Sequence, residues 1–343
     1  MRLKSSKYTK NAACVILLST LAVGLPSVNA AEFYSKKTIK LVVGSGAGGG
    51  YDMIARVIAK GYGKHIDGNP NVIVTNMPGA GGVKMTNWAY NVAPKNGTIL
   101  GMPLMPVALN QHLRPKKVRY DATKLNWIGN VEESDSMLFT WHTSKTKTFK
   151  DAMNRSTTMG GSGKSSPIYQ LITLSNKLLG TKFKIILGYK GAHRYLAIEK
   201  GEVEGSFSTI QNIRAAAPHW YSGGKDPVQI LMVNSKKRFA EIPEVPTMSE
   251  LAKTPEDKKI FEYIMLQSLT GRAVFAPPGV PKGRVASLRQ GMDRNVKDPE
   301  FISDMARAKL KVTYSTGAEV ARSVQQLVDM PPAVVKRIRK LVK

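Results

Sequence analysis

The sequence has one cysteine, Cys14, in 343 residues. A single thiol excludes an internal disulfide and the clustered cysteines of zinc and iron–sulfur sites. Histidine is almost as scarce. His65, His112, His142, His193 and His219 show no metal-ligand spacing, and H-E-x-x-H is absent. So is G-x-S-x-G, which leaves no serine-hydrolase signature. Acidic residues are few: 24 Asp and Glu stand against 51 Lys and Arg, a formal charge of +27. The aromatics (9 Phe, 4 Trp, 12 Tyr) do not interleave with the basic residues. A stacking platform for single-stranded nucleic acid is therefore not expected. The scattered cations read as a basic, soluble surface that attracts anions.

What is present begins at the N-terminus. Arg2, Lys4, Lys7 and Lys10 precede AACVILLSTLAVGL and then PSVNA, with Val28 and Ala30 at the small-residue positions. This is the three-part pattern of a secretory signal peptide over residues 1–30, cut after Ala30. The apolar run is shorter than the ~20 residues that span a bilayer. An uncleaved anchor is the alternative. Cys14 opens the run instead of following it, which does not suit a lipidated cysteine. Cleavage removes the only cysteine, and loss of the four cations lowers the charge from +27 to +23. The remaining length suggests two domains.

Hydrophobic patterning gives an α/β reading. Thr38–Val43 is a buried strand, residues 51–64 a helix, Asn71–Thr75 a second strand, Val83–Val92 a helix and Ile99–Met102 a third strand. Crossover helices between strands mark an α/β sheet. A second set follows, with strands at SMLFTWH (136–142) and VQILMVN (228–234). KVTYS (311–315) is expected as a short strand near the end. Ligands of such sheets bind outside the carboxyl ends of the strands.

Gly-rich loops sit at those ends. VGSGAGGGYD contains G-x-G-x-x-G over Gly44–Gly49, the dinucleotide pattern. That fingerprint also needs an acid closing the second strand, and NVIVT ends in Asn76-Met77-Pro78. Asp67 precedes the strand and does not serve. GGSGKSS (160–166) resembles a P-loop, but Thr158 stands where its first glycine belongs. What is left there is a helix start: a plain cap or an anion site, with no ground to choose. Glu132, Glu133 and Asp135 read as a solvated acidic loop. GSGAGGGYD and NMPGAGG each lead into a predicted helix. Unpaired N–H groups and the helix dipole at two such termini favour a carboxylate, with no arginine required. Tight turns needed only for packing are the alternative.

Several segments in this order resemble a known family, the solute-binding proteins of tripartite tricarboxylate transporters (Bug receptors). They are IKLVVGSGAGGGYDMIARVIA, VIVTNMPGAGGV, APKNGTILG, YKGAHRYLAIEKGEVEGSF, LMVNSKKRFAEIPEVPTMSEL and FAPPGVPKGRVASLRQGM. The resemblance implies an α/β, two-lobed type II periplasmic binding protein (Venus flytrap) with mixed sheets. It implies a periplasmic monomer that binds a small organic carboxylate and delivers it to membrane permease subunits, without cofactor, metal or nucleic acid. Three departures bear on the ligand. Ser45, Gly46 and Ala47 stand where the family carries prolines, and Met77 where it carries Arg. Ser206-Phe207-Ser208 lacks its acid, which disfavours an amino-bearing ligand.

The expected lobes are 33–137 plus 264–343, and 138–263. Ser45, Gly46, Ala47, Gly48 and Gly49, with Gly79, Ala80, Gly81 and Gly82, are expected to hold the carboxylate. Asp52 would orient the first loop or bind a ligand hydroxyl. Gly161, Ser162, Gly163 and Ser165, with Tyr189, Lys190 and Gly191, would clamp from the second lobe. Two rival classes are an exported sensor presenting a carboxylate to a membrane kinase and an NAD-dependent α/β enzyme. The absence of a catalytic dyad argues against an enzyme.

Overall fold

The computed structural model describes residues 30–342, apart from 134, 165, 190, 222–226 and 309. The signal-peptide pattern up to residue 29 lies outside the described residues, as do Ser165 and Lys190. The strands in chain order are β1 (Thr38–Val43), β2 (Asn71–Asn76), β3 (Ile99–Met102), β4 (Asn126–Asn130), β5 (Ser136–Trp141), β6 (Thr157–Gly161), β7 (Phe183–Leu187), β8 (Gly205–Ser208), β9 (Val228–Asn234), β10 (Ala273–Ala276) and β11 (Ser315–Thr316). They form a six-stranded sheet, β11-β4-β10-β3-β1-β2, and a five-stranded sheet, β7-β6-β8-β5-β9. Both are mixed. β1 runs parallel to β2 and β3, while β10 runs antiparallel to β3 and β4. In the second sheet β6 is parallel to β7 and β8, and β5 is antiparallel to β8 and β9.

Each sheet is covered on both faces, so its central strands read as unbroken apolar runs. In β1, Ile39, Leu41 and Val43 face one layer and Val42 the other. The first layer brings Ile54, Ile58 and Tyr62 of helix Gly50–Tyr62 against Leu288 and Met292 of helix Lys282–Asn295. The opposite layer holds Met85 and Ala89 of helix Val83–Asn91 with Val320 and Val324 of helix Gly317–Val328. Around the second sheet, Ile168, Leu171 and Ile172 pack on one face, and Tyr195, Ile198 and Ile213 on the other.

The chain passes from the first sheet to the second over residues 131–135 and returns over 266–272. The sequence assigns helix Pro332–Leu341 to the first lobe. Its Val335 and Ile338 share a core both with Leu171 beside the second sheet and with Leu109 and Leu113 of helix Val107–Leu113.

The KVTYS expectation is corrected: only Ser315 and Thr316 pair, opposite Asn130 and Gly129 of β4. Before them, Thr313 N–H still donates to Val131 O at 3.1 Å, but the ladder ends there as the chain leaves β4 for the crossover. No described helix is long and apolar enough to cross a membrane.

Candidate functional site

Because β1, β2 and β3 are parallel, the loops at their carboxyl ends share one edge of the sheet. Gly44 N–H donates to Met102 O at 3.0 Å and Met77 N–H to Val43 O at 2.8 Å, so each loop is tied at its root. The first two loops touch: a Cβ on Gly44 would lie 3.4 Å from Gly82 Cα. The second loop is a run of left-handed backbone, with φ of 146° at Gly79, 47° at Ala80, 64° at Gly81 and 87° at Gly82. Glycine is the residue that adopts this without strain. It also serves packing at Gly82, where a Cβ would meet Leu104 Cγ at 2.9 Å.

The helix starts differ in their capping. Thr148, Ser166, Thr209, Thr254, Asp298 and Thr316 each cap their helix with a side-chain oxygen. Helices Gly50–Tyr62 and Val83–Asn91 start at Gly49 and Gly82, with no side-chain cap. The first N–H groups of helix Gly50–Tyr62 therefore have neither an intrahelical nor a side-chain capping acceptor. The start of helix Val83–Asn91 is instead closed by its own turn, with Val83 N–H donating to Ala80 O and Gly82 N–H to Gly79 O at 2.9 Å.

Asp52 is buried in the first turn and fills its acceptor positions locally. Oδ2 accepts from Gly48 N–H and Arg56 Nε, both at 3.0 Å. Oδ1 accepts from Arg56 Nη2 at 3.1 Å and Asn76 Nδ2 at 3.0 Å. A carboxylate offers about four lone-pair sites, so little is left for a ligand hydroxyl. Burial pushes its pKa up, but the hydrogen bonds from Arg56, Gly48 and Asn76 outweigh it and hold the carboxyl below its ordinary range. Asn76 Nδ2 also donates to Ser45 O at 3.2 Å. The residue that denies a ribose acid to the dinucleotide reading thus ties the first loop to the second strand. Asp67 accepts from Ser287 and Arg294, away from these loops.

From the second sheet, one of the expected loops reaches the first. A Cβ on Gly49 would lie 3.8 Å from Gly191 Cα, and one on Gly191 would lie 3.9 Å from Ala47 O. Tyr189 donates its N–H to Gly161 O at 3.1 Å, and its hydroxyl donates to Glu202 at 2.9 Å. The stretch Gly161–Gly163 ends at the cap Ser166 and is met at Lys164 O by Arg114 Nη2, at 2.9 Å. A surface groove of about 690 Å³ lined by Lys236, Lys237, Arg238, Lys258 and Lys259 shares no residue with the glycine loops.

One sequence reading is corrected here. Glu132 is not in a solvated loop: it is buried, with Oε2 3.4 Å from Nε of the fully buried Arg272. Burial pushes the Glu132 carboxyl above its ordinary range, and Arg272 opposes this only in part. An arginine that no motif pointed to also adjoins the first glycine loop. The Arg272 guanidinium lies 4.1 Å over the Tyr51 ring, and its Nη2 is 3.6 Å from where a Gly50 Cβ would stand. Nη2 donates to Asn212 Oδ1 at 2.7 Å. Glu132 and Arg272 lie 140 positions apart in a linear reading, and no motif joins them. Only the two crossovers bring them together.

The family described as tripartite tricarboxylate transporter family receptor matches residues 54–340. The chain belongs to this family. It is a family of binding proteins, not of enzymes. A UPF0065 protein in the gbd 5' region of Cupriavidus necator is 26% identical over 333 residues, covering 94% of this chain and 95% of the relative. The periplasmic binding protein BugD has a similar fold, with a TM-score of 0.70, 20% identity, and coverage of 90% of this chain and 98% of that one. So does MatC from Rhodopseudomonas palustris, described with bound malate, with a TM-score of 0.67, 20% identity, and coverage of 90% and 99%. The two mixed sheets of this TctC-type chain are thus those of a periplasmic binding protein.

Proposed function

We propose that this receptor captures a small organic carboxylate between two lobes, with the anion held by main-chain N–H groups of residues 45–49 and 79–82 other than Gly48 and Gly82, whose N–H groups are taken by Asp52 and Gly79 O. The observation that carries this reading is the pair of glycine-capped helix starts side by side at one sheet edge. Each presents the positive end of a helix dipole, and the first also presents N–H groups without a capping acceptor. MatC's malate supports a carboxylate as the guest class. Lobes of 33–137 plus 264–343 and 138–263 would close on it, with Gly161, Ser162, Gly163, Tyr189 and Gly191 on the far side. The closed form would then be read by the permease of a tripartite transporter. Export with cleavage after Ala30 completes the reading.

A thermal-shift screen of purified protein against mono-, di- and tricarboxylates tests it. An acid at 100 times its Kd adds about 2.7 kcal/mol of stability. A melting point raised by NAD and by no organic acid contradicts the reading.

A further inference from the structure

Arg272 sits where the chain returns to the first sheet, and most of its contacts lie on that side. Its N–H donates to Asn130 Oδ1 at 2.8 Å and its Nη1 to Gly271 O at 3.0 Å. The guanidinium stacks on Tyr51, whose hydroxyl accepts from Met105 N–H at 2.9 Å. Glu132, on the outgoing crossover, supplies the opposite charge. One donor crosses over: Nη2, to Asn212 Oδ1 on helix Ile210–Ala216, which packs beside the second sheet. Asn212 reaches it through a gap that exists only because residue 50 is glycine. A Cβ there would lie 1.9 Å from Asn212 Oδ1.

We propose that the Arg272–Asn212 hydrogen bond is the latch that holds the two lobes closed. This rests on the reading above, in which the lobes move around a ligand. The arginine is preorganised: Glu132, Tyr51 and Gly271 O hold it whichever way the lobes stand, so closing the latch orders little beyond the Asn212 side chain. A contact made only in the closed form raises apparent affinity by increasing the closed population, without touching the guest. The glycine at position 50 is then a requirement of closure.

The test compares the purified wild-type protein with Asn212→Ala and Asn212→Asp. Small-angle scattering is recorded without ligand and during titration with malate. Alanine removes the acceptor, so the radius of gyration should rise and malate should bind about tenfold more weakly. Aspartate makes the bond charge-assisted, so the protein should be more compact and malate should bind more tightly. Unchanged scattering in both variants overturns the latch. So does a weaker affinity with Asn212→Asp, which would mean that Arg272 reads the anion itself. If wild-type protein ignores malate and every other acid, the carboxylate reading fails, and the ligand-free scattering still decides the latch.

Discussion

Gly48 N–H donates to Asp52 Oδ2 at 3.0 Å, so the first acid of the helix grips the loop that leads into it. The same carboxylate takes both Arg56 nitrogens and Asn76. Asp52 thus ties the loop, the helix start and the second strand together through one buried carboxylate.

Asp52→Asn should lower stability by about 1.5–3 kcal/mol, the worth of hydrogen bonds to a charged group. Denaturant unfolding measures it. The pH dependence has a definite sign. The folded pKa lies below the ordinary value of 3.8, so the stabilisation is present above that pH and is lost as pH falls through the folded value. The gap between wild type and Asp52→Asn should be constant from about pH 5 to 8 and close below about pH 4.

Gly46→Val separates binding from folding. A Cβ at Gly46 meets nothing within 4 Å, and no positive φ opposes a side chain there. The unfolding free energy should stay within about 0.5 kcal/mol of wild type, as for an ordinary surface change. Carboxylate binding should be lost by calorimetry. Gly81 is a poorer site for this test, because its φ of 64° would strain valine.

Gly50→Ala should act in the opposite direction on stability and binding. Alanine favours the helix by about 0.5–1 kcal/mol over glycine. Its Cβ would also displace Asn212. A variant as stable as wild type or more so, with a lower affinity and a larger radius of gyration, is the expected outcome.

Glu132→Ala should cost about 3–5 kcal/mol by leaving a buried guanidinium uncompensated. Pairing it with Arg272→Met should recover most of that loss, since an apolar replacement of both partners is often neutral. A double-mutant cycle on unfolding free energies reads the coupling. Additive losses would show that the two charges do not support each other.

The apolar strands made the fold legible. β1, β3 and β9 fall where the sequence places them, because strands covered on both faces leave continuous apolar runs. The glycine loops were legible for a related reason: backbone that needs positive φ or close approach shows its residue type. Asp52 stood out as a first-turn acid. Asn76, Arg272, Glu132 and Asn212 did not. Their partners lie on other elements, and polar residues buried by tertiary contact carry no periodic signal. Glu132 shows the difficulty most plainly, because beside Glu133 and Asp135 it looks like surface. Only the crossover that buries it gives it Arg272 as a partner.

The central claim is that the glycine-capped helix starts hold a carboxylate through main-chain donors. Titration calorimetry of the wild-type protein and Gly46→Val, using the acid that most raises the wild-type melting point, tests it most directly. The account predicts saturable one-site binding to the wild type and none to the equally stable variant. Undiminished affinity in Gly46→Val would contradict it.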